Sequence, residues 1–349
     1  MNLEENTYLQ DILKQPQALQ AALSHFDPHP LRSLVKGLQD GSIDRIVLTG
    51  MGASLYAAYP VWLQLVKAGL PAYWLDTAEL VHFARALITR KTLVWIFSQS
   101  GRSAEVVILL EQLKDIQAFL LATVNDLSSP LAVSAGECTL PIWAADERTV
   151  STYSYLNTLA VAQLAALALV GEDVQAGWDN LSATANAIAV YLDDWRAQLQ
   201  HLRDRVLLTR RMVLLGRGPS LASVYTGMLI LNEASKVGAF GLEAGQFRHG
   251  PIELAGPELT ALLFAGPAET RELMLRLHDE LLRQDAHSLW VAPSGADQPG
   301  PQVLMPSAQG IGLPLAEIIP IQLLTVHLAL ENGVVPGKFL HMGKVVLHE

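Results

Sequence analysis

Short apolar runs of strand length alternate along this chain with stretches whose apolar residues recur every three or four positions. That alternation is the mark of parallel βαβ units. Ile46-Val47-Leu48-Thr49 leads through Gly50-Met51-Gly52-Ala53-Ser54 into a helical pattern at Ala57, Val61, Leu65 and Val66. Thr92-Leu93-Val94-Trp95-Ile96-Phe97 leads through Ser98-Gln99-Ser100-Gly101-Arg102-Ser103 into a helix expected to bear Val106, Val107, Leu109, Leu110 and Leu113 on one buried face. Phe119 to Thr123 and Cys138 to Ile142 read as further strands. The longest strongly apolar helix pattern in the chain, Leu159 to Val170, is too short to span a bilayer.

The second half repeats the first. Arg211 to Leu215 precedes Gly216-Arg217-Gly218-Pro219-Ser220, so each copy reads strand, Gly-x-Gly-x-Ser, helix. Thr260 to Phe264 and Ser288 to Ala292 follow as counterparts of the later strands, at a nearly constant offset of 166 to 169 residues. An offset that steady indicates duplication. The expected fold is α/β, with two doubly wound parallel sheets flanked by helices in a flavodoxin- or Rossmann-like three-layer α/β/α arrangement. The expected divisions are a helical segment over 1–40, a first domain over 41–170, a connecting helix over 171–210, a second domain over 211–333 and a tail over 334–349.

Chemistry concentrates in the loop after Phe97. Ser98, Gln99, Ser100 and Ser103 supply neutral hydrogen-bond donors where a strand ends and a helix begins, and Gly101 allows close backbone approach. Unpaired N–H groups at a helix N-terminus favour an anion there, so the loop predicts a phosphate seat to which Gly52, Ala53 and Ser54 could add. The second copy has Ala265-Gly266-Pro267 in place of these serines, so one such seat per chain is expected. Neither Gly-x-Gly loop reads as a nucleotide fingerprint, because Leu55 and Leu221 stand where a third glycine is needed.

Bulk properties narrow the classes. The 349 residues are 50% hydrophobic and 17% charged, with a formal net charge of −10 and no Lys/Arg-rich run, which argues against a nucleic-acid partner. The single cysteine, Cys138, rules out an internal disulfide framework and reads as a buried structural thiol. No histidine has metal-ligand spacing, so no metal and no cofactor is expected. Without a signal-peptide pattern at Met1 to Asn6, a soluble cytoplasmic protein with no membrane partner is expected.

These motifs resemble the sugar isomerase (SIS) domain family, in the tandem arrangement of the isomerase half of glucosamine-6-phosphate synthase. The likeness runs from about Gly41 to Glu349 through Gly50-Met51-Gly52-Ala53-Ser54, the serine loop, Glu147-Arg148-Thr149-Val150-Ser151-Thr152, Glu233-Ala234-Ser235-Lys236, Gln246-Phe247-Arg248-His249-Gly250-Pro251 and Gly343-Lys344-Val345-Val346. The resemblance implies that the serine loop holds a sugar's terminal phosphate and that Val150 and Ser151 contact the open-chain sugar through their backbone. It implies Glu233 as the base between carbons one and two, and His249 as the ring-opening histidine, supplied across a homodimer interface. Lys344 is implied as a Schiff-base lysine on a tail that closes over the site.

The chain also departs from that pattern. Ile230 and Asn232 replace two family lysines, Thr152-Tyr153-Ser154 replaces a Ser-Thr-Lys, and Phe339-Leu340-His341 replaces the Pro-Arg-Asn before the tail lysine. Asn2 stands where the synthase's glutaminase domain carries a cysteine, so glutamine-driven synthesis is not expected of this chain alone. Two function classes stay open: an isomerase, deaminase or deglycase acting on a ketose- or amino-sugar phosphate, and a non-catalytic sugar-phosphate sensor.

Overall fold

The computed structural model describes residues 2–207, 209–296, 298–341 and 343–345; Val346 of the tail motif lies outside the described residues. Within them ten strands form two five-stranded, all-parallel sheets. The first contains β1 (Arg45–Gly50), β2 (Ala72–Trp74), β3 (Thr92–Ser98), β4 (Phe119–Val124) and β5 (Thr139–Pro141), in the order β2-β1-β3-β4-β5. The second contains β6 (Arg211–Gly216), β7 (Ala239–Glu243), β8 (Leu259–Phe264), β9 (His287–Pro293) and β10 (Gln302–Met305), in the order β10-β9-β8-β6-β7. Read from the second strand of each, the two orders are the same.

The apolar runs become central strands because helices cover both faces of a parallel sheet. Every residue of β3 and of β8 is buried. On one face of the first sheet Leu48, Trp95, Phe97 and Leu121 pack against the helices Tyr59–Lys67 and Tyr153–Val170, with Trp95 and Phe97 stacked at 5.1 Å. On the other face Val47, Val94, Ile96 and Val124 meet the helices Ala104–Leu113 and Pro130–Ala135. In the second sheet Val213, Leu215, Ala261 and Trp290 pack against the helix Arg271–Arg283.

Two compact units emerge, each assembled from separate stretches of chain. One comprises Met1–Pro16, Arg148–Thr152 and Ala183–Leu340; the other comprises Gln17–Glu147, Tyr153–Ser182 and His341–Glu349.

Three expectations change. The connecting helix over 171–210 is two helices, Val174–Asp193 and Trp195–Arg205, because Asp194 leaves helical geometry at φ −110°, ψ 43°. The apolar helix expected from Leu159 begins earlier and spans Tyr153–Val170, and a second apolar stretch runs Gly310–Glu331. Both are long and apolar enough to cross a membrane, and 89% of each is buried within the protein. Polar Tyr153, Ser154, Asn157 and Thr158 hid the first turns in the sequence. Cys138 is half-buried, just before β5, with its Sγ 3.9 Å from Ser33 Oγ.

One buried acid stands out in the second unit. Glu317, fully buried on the helix Leu313–Glu331, accepts a hydrogen bond at 2.7 Å from Ser220 Oγ. Its other carboxyl oxygen has no partner among the described residues. Burial pushes its pKa up to about 8 against the opposing hydrogen bonds of Ser220 and Ser223. The unfolded carboxyl ionises near 4.5 and the folded one near 8, so the folded state binds the extra proton between those values. Stability is therefore fully present below about 4.5 and declines as pH rises to 8, by on the order of a few kcal/mol. Urea unfolding across that range should show a flatter decline for Glu317→Gln than for wild type.

Candidate functional site

The serine loop occupies the carboxyl end of β3, beside the end of β1, where the strand order reverses and open α/β sheets bind ligands. Gly50 closes β1 against β3: a Cβ there would lie 2.7 Å from the Phe97 carbonyl oxygen. Gly52 opens the helix Gly52–Ala57 with φ +53° and carries Ala53 and Ser54 in its first turn, half-buried. Gly101 sits at φ +62°, and a Cβ there would collide with the Ser129 side chain. Both glycines are thus required by the left-handed backbone, and Gly101 also by space.

The hydroxyls keep protons to give. Ser98 Oγ accepts from Gly101 N at 3.0 Å, and Ser100 Oγ accepts from Arg102 N at 3.2 Å, so each hydroxyl hydrogen points elsewhere. Ser103 is the N-cap residue of the helix Ala104–Leu113, yet its side chain caps nothing. Gln99 holds the loop through its carbonyl, which accepts from Asn125 N at 3.1 Å. Arg102 is turned to Asp126, at 2.8 Å, and to Ser128, at 3.1 Å. What the loop offers an anion is therefore neutral donors and helix-terminal N–H groups.

In this same unit Lys344 pairs with Glu147, a motif residue to which sequence reasoning had given no role. Lys344 Nζ lies 2.9 Å from Glu147 Oε2 and also donates to the Glu147 carbonyl. The Glu147 side chain is wholly buried and accepts from Ser154 N at 3.2 Å and Ser154 Oγ at 2.5 Å. Its neighbours Asp146 and Arg148 are charged as well, and nothing local links it to a lysine nearly two hundred residues away.

Glu233 and His249 belong to the other unit, as do Val150 and Ser151. Val150 is buried and Ser151 half-buried in an irregular loop whose Thr149 Oγ1 donates to Asp11 Oδ2 at 3.3 Å. Glu233 lies in a single π turn, Leu231–Ser235, that follows the helix Leu221–Ile230. Such turns are rare and recur at functional sites. Burial raises the Glu233 pKa to about 7, and the positive charge of Lys236 opposes the rise. A carboxyl in that range can both take and return a proton at neutral pH.

His249 follows the short helix Ala244–Phe247, exposed, with its backbone N–H on the Gln246 carbonyl at 3.0 Å. Its ring makes no hydrogen bond to any described residue. Arg217 and Arg248, which could have drawn an anion, are engaged with carboxylates. Arg217 lies 3.7 Å from Glu243, and Arg248 binds Glu280 through Nε at 2.9 Å and through a second nitrogen.

With this geometry in view, comparison with known proteins is decisive for the first sheet. Residues 42–168 match the SIS domain family. The match covers one such domain and includes the serine loop. The chain is also 27% identical, over 98% of its length, to glutamine–fructose-6-phosphate aminotransferase (isomerizing) of Thermococcus kodakarensis. It spans 58% of that relative's length. Its fold is that of the C-terminal domain of glucosamine-fructose-6-phosphate aminotransferase from Francisella tularensis, with a TM-score of 0.84 at 19% identity, covering 96% of this chain and 98% of that one. Tagatose-6-phosphate ketose/aldose isomerase from Escherichia coli shares the fold at a TM-score of 0.79 and 20% identity, covering 99% of both chains.

Proposed function

We propose that this chain is a phosphosugar isomerase-type enzyme that binds a six-carbon ketose- or amino-sugar phosphate and shifts a proton between carbons one and two of its open-chain form. The observation that carries this reading is Glu233, a carboxyl in a π turn with a pKa of about 7. A base with that pKa is half-ionised at neutral pH, where proton abstraction next to a carbonyl needs it. The SIS match over the serine loop and the sugar-phosphate names of the relatives support the substrate class. The second sheet, with its repeated strand order and Gly-x-Gly-x-Ser loop, is read as a second SIS copy.

The roles follow from the donors each residue offers. Ser98, Ser100 and Ser103 donate to the phosphate oxygens, with Gln99, Gly101, Gly52, Ala53 and Ser54 shaping the seat. Val150 and Ser151 offer backbone contacts to the open chain. Glu233 takes the proton from one carbon as the neighbouring carbonyl becomes an enediol or enolamine, then returns it to the other carbon. Lys344 is the amine for a Schiff base with the ketose carbonyl. Its ammonium must first lose a proton, and the Glu147 carboxylate 2.9 Å away is placed to accept it. His249 opens the ring from a second copy of the chain, which accounts for an exposed imidazole with no bonding partner in its own chain among the described residues. Isomerisation, deamination and deglycation share this proton transfer and differ in what leaves carbon one or two.

Three measurements test the reading. Replacing Ser100 by Ala removes one donor to a charged acceptor, worth about 1.5–3 kcal/mol. Calorimetry should show fructose 6-phosphate binding at least tenfold more weakly to this variant, and fructose binding poorly even to wild type. Equal affinity for the sugar with and without its phosphate refutes the seat.

Glu233→Gln keeps the shape of the side chain and removes the base. Its turnover should drop on the order of a hundredfold or more with binding retained. Because the ionised carboxylate is the active form, wild-type kcat/KM should fall as pH drops through about 7. A wild-type rate in the variant places Glu233 outside the chemistry.

Mixing inactive Glu233→Gln chains with inactive His249→Ala chains, under conditions that allow exchange, should restore part of the activity. One site of each mixed dimer would then hold both native residues. Absence of recovery when native mass spectrometry shows mixed dimers rules out the shared site.

A further inference from the structure

The π turn that bears Glu233 is not supported by its own helix alone. The segment 332–338 is fastened along it by four separate hydrogen bonds. Asn332 Nδ2 donates to the Ser235 carbonyl at 3.1 Å and to the Lys236 carbonyl at 3.3 Å. Gly337 N donates to the Ala234 carbonyl at 3.2 Å. Lys236 Nζ donates to the Lys338 carbonyl at 2.8 Å, and it also donates to the carbonyl of Glu233 itself.

Lys236 is shaped for this contact. It ends the π turn in the left-handed region at φ +59°, a conformation that a long side chain adopts rarely. That conformation turns its side chain back over the turn it terminates. The segment it grips is fixed from behind as well. Asn6 Nδ2 donates to the Pro336 carbonyl at 3.2 Å, and a Cβ on Gly337, at φ +75°, would collide with Tyr8. Lys236 makes no ion pair with the Glu233 carboxylate, yet its charge is the one that acts on that carboxyl. No residue of the serine loop and none of the roles assigned above uses it.

We propose that Lys236 is the positioning residue of this site: its ammonium bolts the segment 332–338 to the π turn that carries Glu233. The proposal rests on Glu233 as the base, and it adds a second element that sets where that base stands. The start of the tail and the turn carrying the base then move as one body, so whatever displaces 332–338 also alters Glu233.

The test reads Glu233 without relying on turnover. The stability difference between wild type and Glu233→Gln, followed by urea unfolding from pH 4 to 9, reports the ionisation of the Glu233 carboxyl in the folded protein. The same difference is measured in Lys236→Met and in Lys236→Arg backgrounds. Loss of the cation removes the opposition to burial, so in Lys236→Met the midpoint should rise by about 0.5 pH unit or more. In Lys236→Arg it should stay near the wild-type value. Amide hydrogen exchange should accelerate in peptides covering both 231–236 and 332–338 in Lys236→Met, and in neither for Lys236→Arg.

Lys236→Gln, which keeps an N–H donor and loses the charge, should shift the midpoint with less acceleration of exchange. It also serves if the methionine variant does not fold. An unchanged midpoint together with unchanged exchange in Lys236→Met and Lys236→Gln overturns the proposal. Full turnover in Glu233→Gln overturns the functional reading instead, since the midpoint and exchange measurements stand apart from activity.

Discussion

The passage of Gly50 against the Phe97 carbonyl sets how the chain leaves the central strands of the first sheet. Gly50 and Phe97 are paired residues at the carboxyl ends of β1 and β3, and a side chain at Gly50 would meet that carbonyl at 2.7 Å. With no Cβ in the way, β1 and β3 run side by side to their ends, and the chain leaves each strand in a sharp turn through Gly52 and Gly101. Both turns use φ values near +60°, open to glycine at little cost. The serine loop and the N-terminus of the helix Ala104–Leu113 then follow directly from the end of β3. A bulkier residue at Gly50 or Gly101 would spread the strands or push out Ser129.

In the other unit the governing term is desolvation. Glu233 is half-buried with a single cation in electrostatic reach, so burial outweighs attraction and its pKa settles near 7. Glu147, wholly buried, is treated differently: Lys344 and Ser154 give its carboxylate three hydrogen bonds. One acid is left short of partners; the other is hydrogen-bonded on both sides and holds a lysine beside it. The contrast lies in the number of donors supplied, not in the acids themselves.

Much of this was legible in the sequence where the signal is local. The central strands β1, β3, β4, β6, β8 and β9 announce themselves as apolar runs because both of their faces are covered. The edge strands β2, β7 and β10 are three to five residues long and partly exposed, so their patterns carry no comparable period. The break at Asp194 was missed because the apolar spacing on either side continues almost in phase. The serine loop was legible because strand, hydroxyls and helix start are adjacent in sequence. The Lys344–Glu147 pair and the grip of Lys236 on Lys338 were not, because they are contacts between distant stretches that no local pattern encodes.

The two sheets share a strand order, yet their crevices are built for different ends. Gly218 and Gly266 keep left-handed backbones at φ +56° and +66°, close to those of Gly52 and Gly101. The second loop nonetheless has Ala265-Gly266-Pro267 where the first has its serines. Pro267 packs near Gly218, and Ser220 directs its Oγ to the buried Glu317. That serine is used to satisfy a buried carboxyl, one oxygen of which has no partner among the described residues, and an anion brought there would compete for its hydroxyl. Repetition of the backbone therefore does not repeat the seat. What distinguishes the first loop is that Ser98 and Ser100 accept hydrogen bonds from their own backbone and keep their protons to give.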